Sequence, residues 1–242
     1  MFASSGGTGR SEMKEQALRR KPTEYVPALG WDWLTPLYDH LVFATMPEKR
    51  FKRRLLDDAA IAEGHRVLDV GSGTGTLLLL ASQRCKGARF VGLDGDPKIL
   101  AIARSKIEKQ ARAIAMVRAF CFELPFADGA FDRVLSSLTL HHLTRSERVL
   151  TLRELFRVLR AGGELHVADW GRPHNRLMAL FAVAVRLADG RARTADNLDG
   201  HLPVLFRAAG FEGVSEQARY ATLLGTLSLY RARKSHANPG PE

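Results

Sequence analysis

The chain has 242 residues, 45% of them apolar, and a formal net charge of +10, with a pI of about 10.0. That is enough for one large core, or one core with a small appendage, and no window approaches the ~18 apolar residues that a membrane-spanning helix needs. Two distant cysteines, Cys85 and Cys121, offer neither a metal-ligand spacing nor a disulfide framework, which suits a reducing, cytoplasmic compartment.

Residues 1–24 carry Gly, Ser and charge with no apolar periodicity, and they lack the apolar core of a secretory signal. They are expected to be a disordered tail. From Tyr25 to Tyr38 aromatic and apolar residues, Trp31 and Trp33 among them, crowd around Pro27 and Pro36, so this segment is expected to dock on the core. A helical pattern from Pro47 to about Ala60 puts Phe51, Leu55 and Leu56 on one face. Residues 25–60 thus form an N-terminal cap.

A strand, Arg66–Val70, then feeds a loop with glycines at alternate positions, Gly71, Gly73 and Gly75, and a helix follows over about Thr74–Gln83. The second strand is Arg89–Asp94 and the second helix runs from about Pro97 to Ala111, proline being well placed in a first helical turn. A third strand covers about Ala115–Phe120, a loop Glu123–Gly129, and a fourth strand Phe131–Leu138. A helix from about Ser146 to Leu159, a turn at Ala161-Gly162-Gly163 and a fifth strand, Glu164–Asp169, complete the alternation. Strands alternating with helices predict an α/β fold, a Rossmann-like doubly wound and mostly parallel sheet with helices on both faces. Residues 174–190 read as a very apolar helix flanked by arginines, inside a lid insertion over 174–200. A short helix, His201–Ala209, ends at Gly210, and Phe211–Tyr220 with Thr222–Arg233 read as an antiparallel edge hairpin. One domain is expected over 25–234, with a frayed tail at 235–242.

The glycine loop follows a strand and opens a helix, which is how α/β folds build a nucleotide site at the carboxyl end of a strand. Asp94 closes the second strand, where a carboxylate can accept from both ribose hydroxyls of a bound adenosine; Asp96, ahead of Pro97, is the better helix cap. The loop reads G-x-G-x-G, not the G-x-G-x-x-G of dinucleotide sites, so a pyrophosphate cradle is disfavoured. A ligand with adenosine and no pyrophosphate fits better, and a nicotinamide dehydrogenase fits poorly.

In ordered combination, VLDVGSGTG at 67–75, VGLDGDPKIL at 91–100, LPFADGAFDRV at 124–134, LTLHHL at 138–143 and ELFRVLRAGGELHVADW at 154–170 resemble the class I S-adenosylmethionine-dependent methyltransferases, in the branch like the ubiquinone/menaquinone C-methyltransferases. FRAAGF at 206–211 and the LGTLSLYRARK ending also look like that branch, so the likeness runs from about Leu34 to Lys234. It implies S-adenosylmethionine as cofactor and methyl transfer to a small-molecule or lipid-like acceptor. It also implies that Asp69, Gly71, Ser72, Gly73 and Gly75 line the methionine and ribose part, and that Asp94, with Gly95 after it, holds the ribose. Phe120 and Cys121 stand where the adenine is usually clamped, and Ser137 at a position that often contacts the cofactor. Phe120 departs from the polar residue common there, which removes one acceptor for the adenine amino group.

Methyl transfer from a sulfonium needs alignment and exclusion of water, and a base only where the acceptor must lose a proton. His142 is the first candidate for that base, with Tyr38 as its partner by likeness to small-molecule and lipid-headgroup methyltransferases, and His141 the third. Each also has a packing or capping explanation. Adjacent histidines without matching Cys or carboxylate spacing make no metal site.

The charge raises two further readings. A nucleic-acid or protein methyltransferase is one alternative. Against a nucleic-acid substrate, the cations are spread along helical patterns, and SLTLHH stands where amino-methylating nucleic-acid enzymes often carry an Asn/Asp-Pro-Pro-aromatic element. Peripheral contact with an anionic membrane at the inner surface, through the arginine-flanked lid helix, is the other. A cofactor-binding protein without catalysis is the remaining alternative. The acceptor, the atom methylated and the oligomeric state are left open by the sequence.

Overall fold

A computed structural model describes residues 48–172, 200–222 and 225–236. The expectations for the N-terminal tail, for the aromatic segment with Trp31, Trp33 and Tyr38, and for the apolar helix of the lid lie outside these residues.

The described chain forms α1 (Glu48–Ala59), β1 (Arg66–Val70), α2 (Thr76–Arg84), β2 (Arg89–Asp94), α3 (Pro97–Lys109), β3 (Ile114–Arg118) and β4 (Phe131–Ser137). A 3₁₀ turn (Leu140–His142) leads into α4 (Arg145–Val158), β5 (Leu159–Gly171), α5 (Leu202–Ala208), β6 (Glu212–Thr222) and β7 (Gly225–Arg233). The seven strands make one sheet in the order β3-β2-β1-β4-β5-β7-β6. β1 to β5 are mutually parallel where they pair, and β7 is antiparallel to both β5 and β6. This is the fold class expected from the alternation, with the antiparallel hairpin at the edge.

Each face of the sheet has its own apolar layer. Leu68 and Val70 of β1 pack with Leu152 and Leu155 of α4 and Phe206 of α5. Val67 packs on the other face with Phe51 and Leu55 of α1, Leu78 of α2 and Ile107 of α3. Side chains alternate along a strand. That alternation sends Asp69, two residues from Val67, to the face that α1 covers. Phe51 is completely buried, which contributes about 2–3 kcal/mol toward holding α1 on the sheet. Arg133 of β4 fixes the end of α1 by donating from Nε to the Ala59 carbonyl at 2.7 Å, and Arg84 pairs with Asp57.

Two boundaries differ from the sequence reading for identifiable reasons. α2 starts at Thr76 because Gly75 stands at its N-cap with φ 74, a left-handed conformation that no helix contains. β5 starts at Leu159, which already pairs with Phe131, and the expected turn at Ala161-Gly162-Gly163 is absorbed into the strand with Gly162 at φ 72. The Gly162 amide donates to the Lys234 carbonyl at 2.9 Å, and the Lys234 amide to the Gly163 carbonyl at 3.0 Å. No helix among the described residues is long and apolar enough to cross a membrane.

Candidate functional site

β1 is flanked by β2 on one side and β4 on the other. Their connections leave the sheet in opposite directions, so a crevice opens at their carboxyl ends. The crevice is a cavity of about 560 Å³ walled by the glycine loop, the ends of β2 and β4, and α1.

The loop is stitched to β2. The amides of Gly71 and Ser72 both donate to the Leu93 carbonyl, at 2.8 and 3.0 Å. The Asp94 carboxylate accepts from the Gly73 amide at 2.9 Å through one oxygen and from the Asp96 amide at 3.0 Å through the other. Asp96 itself caps α3 by accepting from the Lys98 and Ile99 amides, as the sequence suggested. Each Asp94 oxygen retains a second lone pair for a ligand hydroxyl.

Gly71 has φ 69, and a Cβ there would lie 2.2 Å from Thr139 Oγ1. That hydroxyl sits over the end of β1, within 3.4 Å of the Val70 carbonyl, 3.3 Å of Gly71 and 3.2 Å of Ser137. Gly73 has φ 54, but a Cβ there would meet no protein atom within 4 Å. One glycine is therefore demanded by packing and conformation, the other by conformation alone.

Two polar atoms in the cavity wall are buried without a hydrogen-bond partner among the described residues: Asp69 Oδ1 and Ser72 Oγ. Asp69 is only 1% exposed. Burial pushes its carboxyl up to about 7; the Lys52 ammonium opposes the shift and the Asp94 charge adds to it. Such a group is a standing demand for a cationic donor.

The opposite wall carries the histidines. Leu138 follows β4 with φ 56, strained for a leucine, and its amide donates to the Ala168 carbonyl at 2.8 Å. The next turn is held by Asp169, completely buried at the end of β5. One Asp169 oxygen accepts from the Leu140 and His141 amides at 2.8 and 3.3 Å. The other meets His141 Nδ1 at 2.9 Å and the Trp170 amide at 2.7 Å. Burial alone would raise this carboxyl, but the neighbouring His141 and these hydrogen bonds hold it below the usual range. The buried Arg148 donates to the Leu140 and Leu143 carbonyls at 3.0 and 2.9 Å, closing the turn from below. His141 thus faces Asp169, while His142 lines the cavity, with the two rings 3.8 Å apart.

Of the sequence-predicted residues, Asp69, Gly71, Ser72, Gly73, Asp94, Gly95, Phe120, Cys121, Ser137 and His142 line one cavity. Gly75 stands behind it, where a Cβ would face Ala103 at 3.5 Å. His141 is turned to Asp169, and Tyr38 lies outside the described residues. Phe120 is 53% exposed at the mouth and its ring is parallel to that of Phe122 at 5.2 Å. Burial raises the Cys121 thiol, and Thr151 Oγ1 contacts it at 3.4 Å. Sequence reasoning missed Glu48 and Lys52, which reach the cavity from α1. Their i,i+4 spacing marks an ion pair along one helix face, but not that this face meets a cavity.

A methyltransferase domain model matches residues 67–163. The demethylmenaquinone methyltransferase of Thermus thermophilus is 37% identical over 142 residues, 58% of this chain and 64% of that one. The ubiquinone/menaquinone biosynthesis C-methyltransferase UbiE of Azotobacter vinelandii is 30% identical over 212 residues, 76% of this chain and 79% of that one. The chain thus spans a little under two thirds of the length of the Thermus relative. Among solved structures, YcgJ from Bacillus subtilis aligns with a TM-score of 0.63 at 17% identity, covering 77% of this chain and 98% of that one. A Haemonchus contortus phosphoethanolamine N-methyltransferase, in complex with phosphomonomethylethanolamine and S-adenosylhomocysteine, aligns at 0.62 and 16% identity, with 77% and 53% covered. These two establish likeness of fold.

The fold and the glycine-loop crevice are those of a Rossmann-like transferase. The chain belongs to the class I S-adenosylmethionine-dependent methyltransferases, in their ubiquinone/menaquinone C-methyltransferase-like branch. Its cofactor is S-adenosylmethionine, and the cavity fits that molecule. The orphaned Asp69 oxygen calls for an ammonium, Asp94 has acceptor capacity for hydroxyls, and Leu93, Ile99 and Phe120 supply an apolar wall.

Gly71→Ala is expected to lower stability by about 2–4 kcal/mol, from left-handed strain plus overlap with Thr139. Gly73→Ala, with space beside it, should cost only the strain of about 1–2 kcal/mol. Urea denaturation of both variants checks the ordering, and equal losses would contradict the Thr139 packing.

Proposed function

We propose that the chain transfers the methyl group of S-adenosylmethionine to a small-molecule or lipid-like acceptor, with the quinone precursors implied by its relatives' names as the leading class. The observation that carries this reading is a single cavity holding an unpartnered buried carboxylate at one wall and an imidazole at the other. When bound, the cofactor supplies a methyl group on a sulfonium, already activated for displacement.

The chain's own residues then have three tasks. Asp69 meets the ammonium of the amino-acid end, and Asp94 orients the ribose through its hydroxyls. Phe120 and Ile99 offer apolar surface to the adenine, contact that makes up for the missing side-chain acceptor at position 120. His142 faces the acceptor and takes the proton that the carbon, nitrogen or oxygen attacking the methyl group must release. The turn bearing it is fixed by Asp169 and Arg148, so the imidazole is aimed before the acceptor arrives. His141 contributes through its pairing with Asp169.

Candidate acceptors should be screened with labelled cofactor, reading S-adenosylhomocysteine release. With the best acceptor, His142→Ala should lower kcat by about 100-fold while S-adenosylhomocysteine affinity stays within about twofold. Full turnover in that variant would remove the base role.

The state of Asp69 gives a second test. A ligand ammonium favours the ionised carboxylate, so binding must displace a proton wherever Asp69 is protonated. Affinity should therefore fall as pH drops through about 7. Calorimetry with S-adenosylhomocysteine should show about tenfold weaker binding at about pH 6 than at about pH 8. Asp69→Asn should bind weakly with that component of the pH dependence gone, and a wild-type affinity flat across this range would remove Asp69 from the ammonium site.

A further inference from the structure

The cavity wall is unbalanced in charge. Glu48, Asp69 and Asp94 bring three carboxylates to it, and Lys52 is the only lysine or arginine among the described residues that line it. The Lys52 side chain is only 13% exposed, unusual for a lysine. Its ammonium sits 2.5 Å from Glu48 Oε1, one turn earlier on α1, while the Glu48 side chain is 37% exposed at the rim. Lys52 also acts electrostatically on Asp69.

α1 is a fixed wall. Phe51 and Leu55 are sealed against the sheet, and Arg133 and Arg84 hold the end of the helix. Lys52 therefore brings its charge to the cavity wall from a rigid helix, within electrostatic reach of the carboxylate assigned to the ammonium. An amino-acid terminus carries an ammonium and a carboxylate on the same carbon. The cavity wall presents an anion and a cation, the complementary pair.

We propose that Lys52, steered by Glu48, is the receptor for the carboxylate of the cofactor's amino-acid end, so that the chain selects adenosyl sulfonium compounds and thioethers with an intact amino-acid terminus. The inference rests on the assignment of this cavity to S-adenosylmethionine. Glu48 is a positioning residue: it holds the ammonium at the wall and yields it to the ligand. Lys52 comes from α1 and the proposed base from the turn after β4, so substitution at Lys52 is read out on cofactor binding.

The test is calorimetry on the full chain with two ligands that share the adenosine thioether. S-adenosylhomocysteine keeps the amino-acid end, and methylthioadenosine lacks it. Lys52→Met should weaken S-adenosylhomocysteine by about tenfold and leave methylthioadenosine within about twofold. Lys52→Arg, which keeps the charge, should recover most of the loss. Equal weakening of both ligands would mean that Lys52 only supports the helix, and unchanged S-adenosylhomocysteine affinity would mean that its charge serves something else; either overturns the proposal. If wild-type protein binds neither ligand, the cofactor assignment itself fails and takes the proposal with it.

Discussion

The carboxyl edge of the sheet depends on how the chain leaves β1. Two consecutive amides, those of Gly71 and Ser72, converge on the Leu93 carbonyl, and the next amide, from Gly73, reaches the Asp94 carboxylate. These bonds fold the loop over the end of β2 and keep side chains out of the crevice. They require positive φ at Gly71 and Gly73, which is why the loop is built on glycine. Thr139 presses on Gly71 from the β4 side. The loop is thus clamped from both neighbouring strands, and the space between them is the cavity.

The second constraint is electrostatic. Asp69 and Asp169 are both buried carboxylates at strand ends, yet their surroundings push them in opposite directions. Asp169 is supplied with three backbone amides and the His141 ring, so its charged form is favoured. Asp69 has an oxygen without a partner, and burial drives its carboxyl up to about 7. The satisfied carboxylate organises the protein. The unsatisfied one is organised for a ligand. Polar groups buried without partners are rare in native folds, and the role proposed for this one is to meet the ammonium of the cofactor.

Much of this was legible in the residues. The alternation of strand and helix specified the parallel sheet, and the spacing of Gly71, Gly73 and Asp94 pointed to the edge where these three residues line one cavity. Period-two burial then follows from the strands themselves. What escaped was long-range or conformational. Gly75 looks like a third ligand-facing glycine, but it is the left-handed cap that starts α2. The family likeness ranks His142 ahead of His141, but the pairing that turns His141 away comes from Asp169, on a strand two positions from β1, and no local pattern shows it. Glu48 and Lys52 resemble any surface ion pair at i,i+4, because nothing local reveals which side of a helix will meet a cavity. The buried Arg148 reads as one more cation of a basic chain, yet it closes the turn beneath the histidines.

This crevice is proposed to hold an adenosyl ligand by its ribose and its amino-acid end. The most direct measurement is calorimetric titration of wild-type and Asp94→Ala protein with S-adenosylhomocysteine, with thermal melting as a check on folding. Binding at one site per chain, weakened at least about tenfold in the folded variant (~1.4 kcal/mol), is the result expected. Equal affinity in the two proteins, or no binding to the wild type, would contradict it.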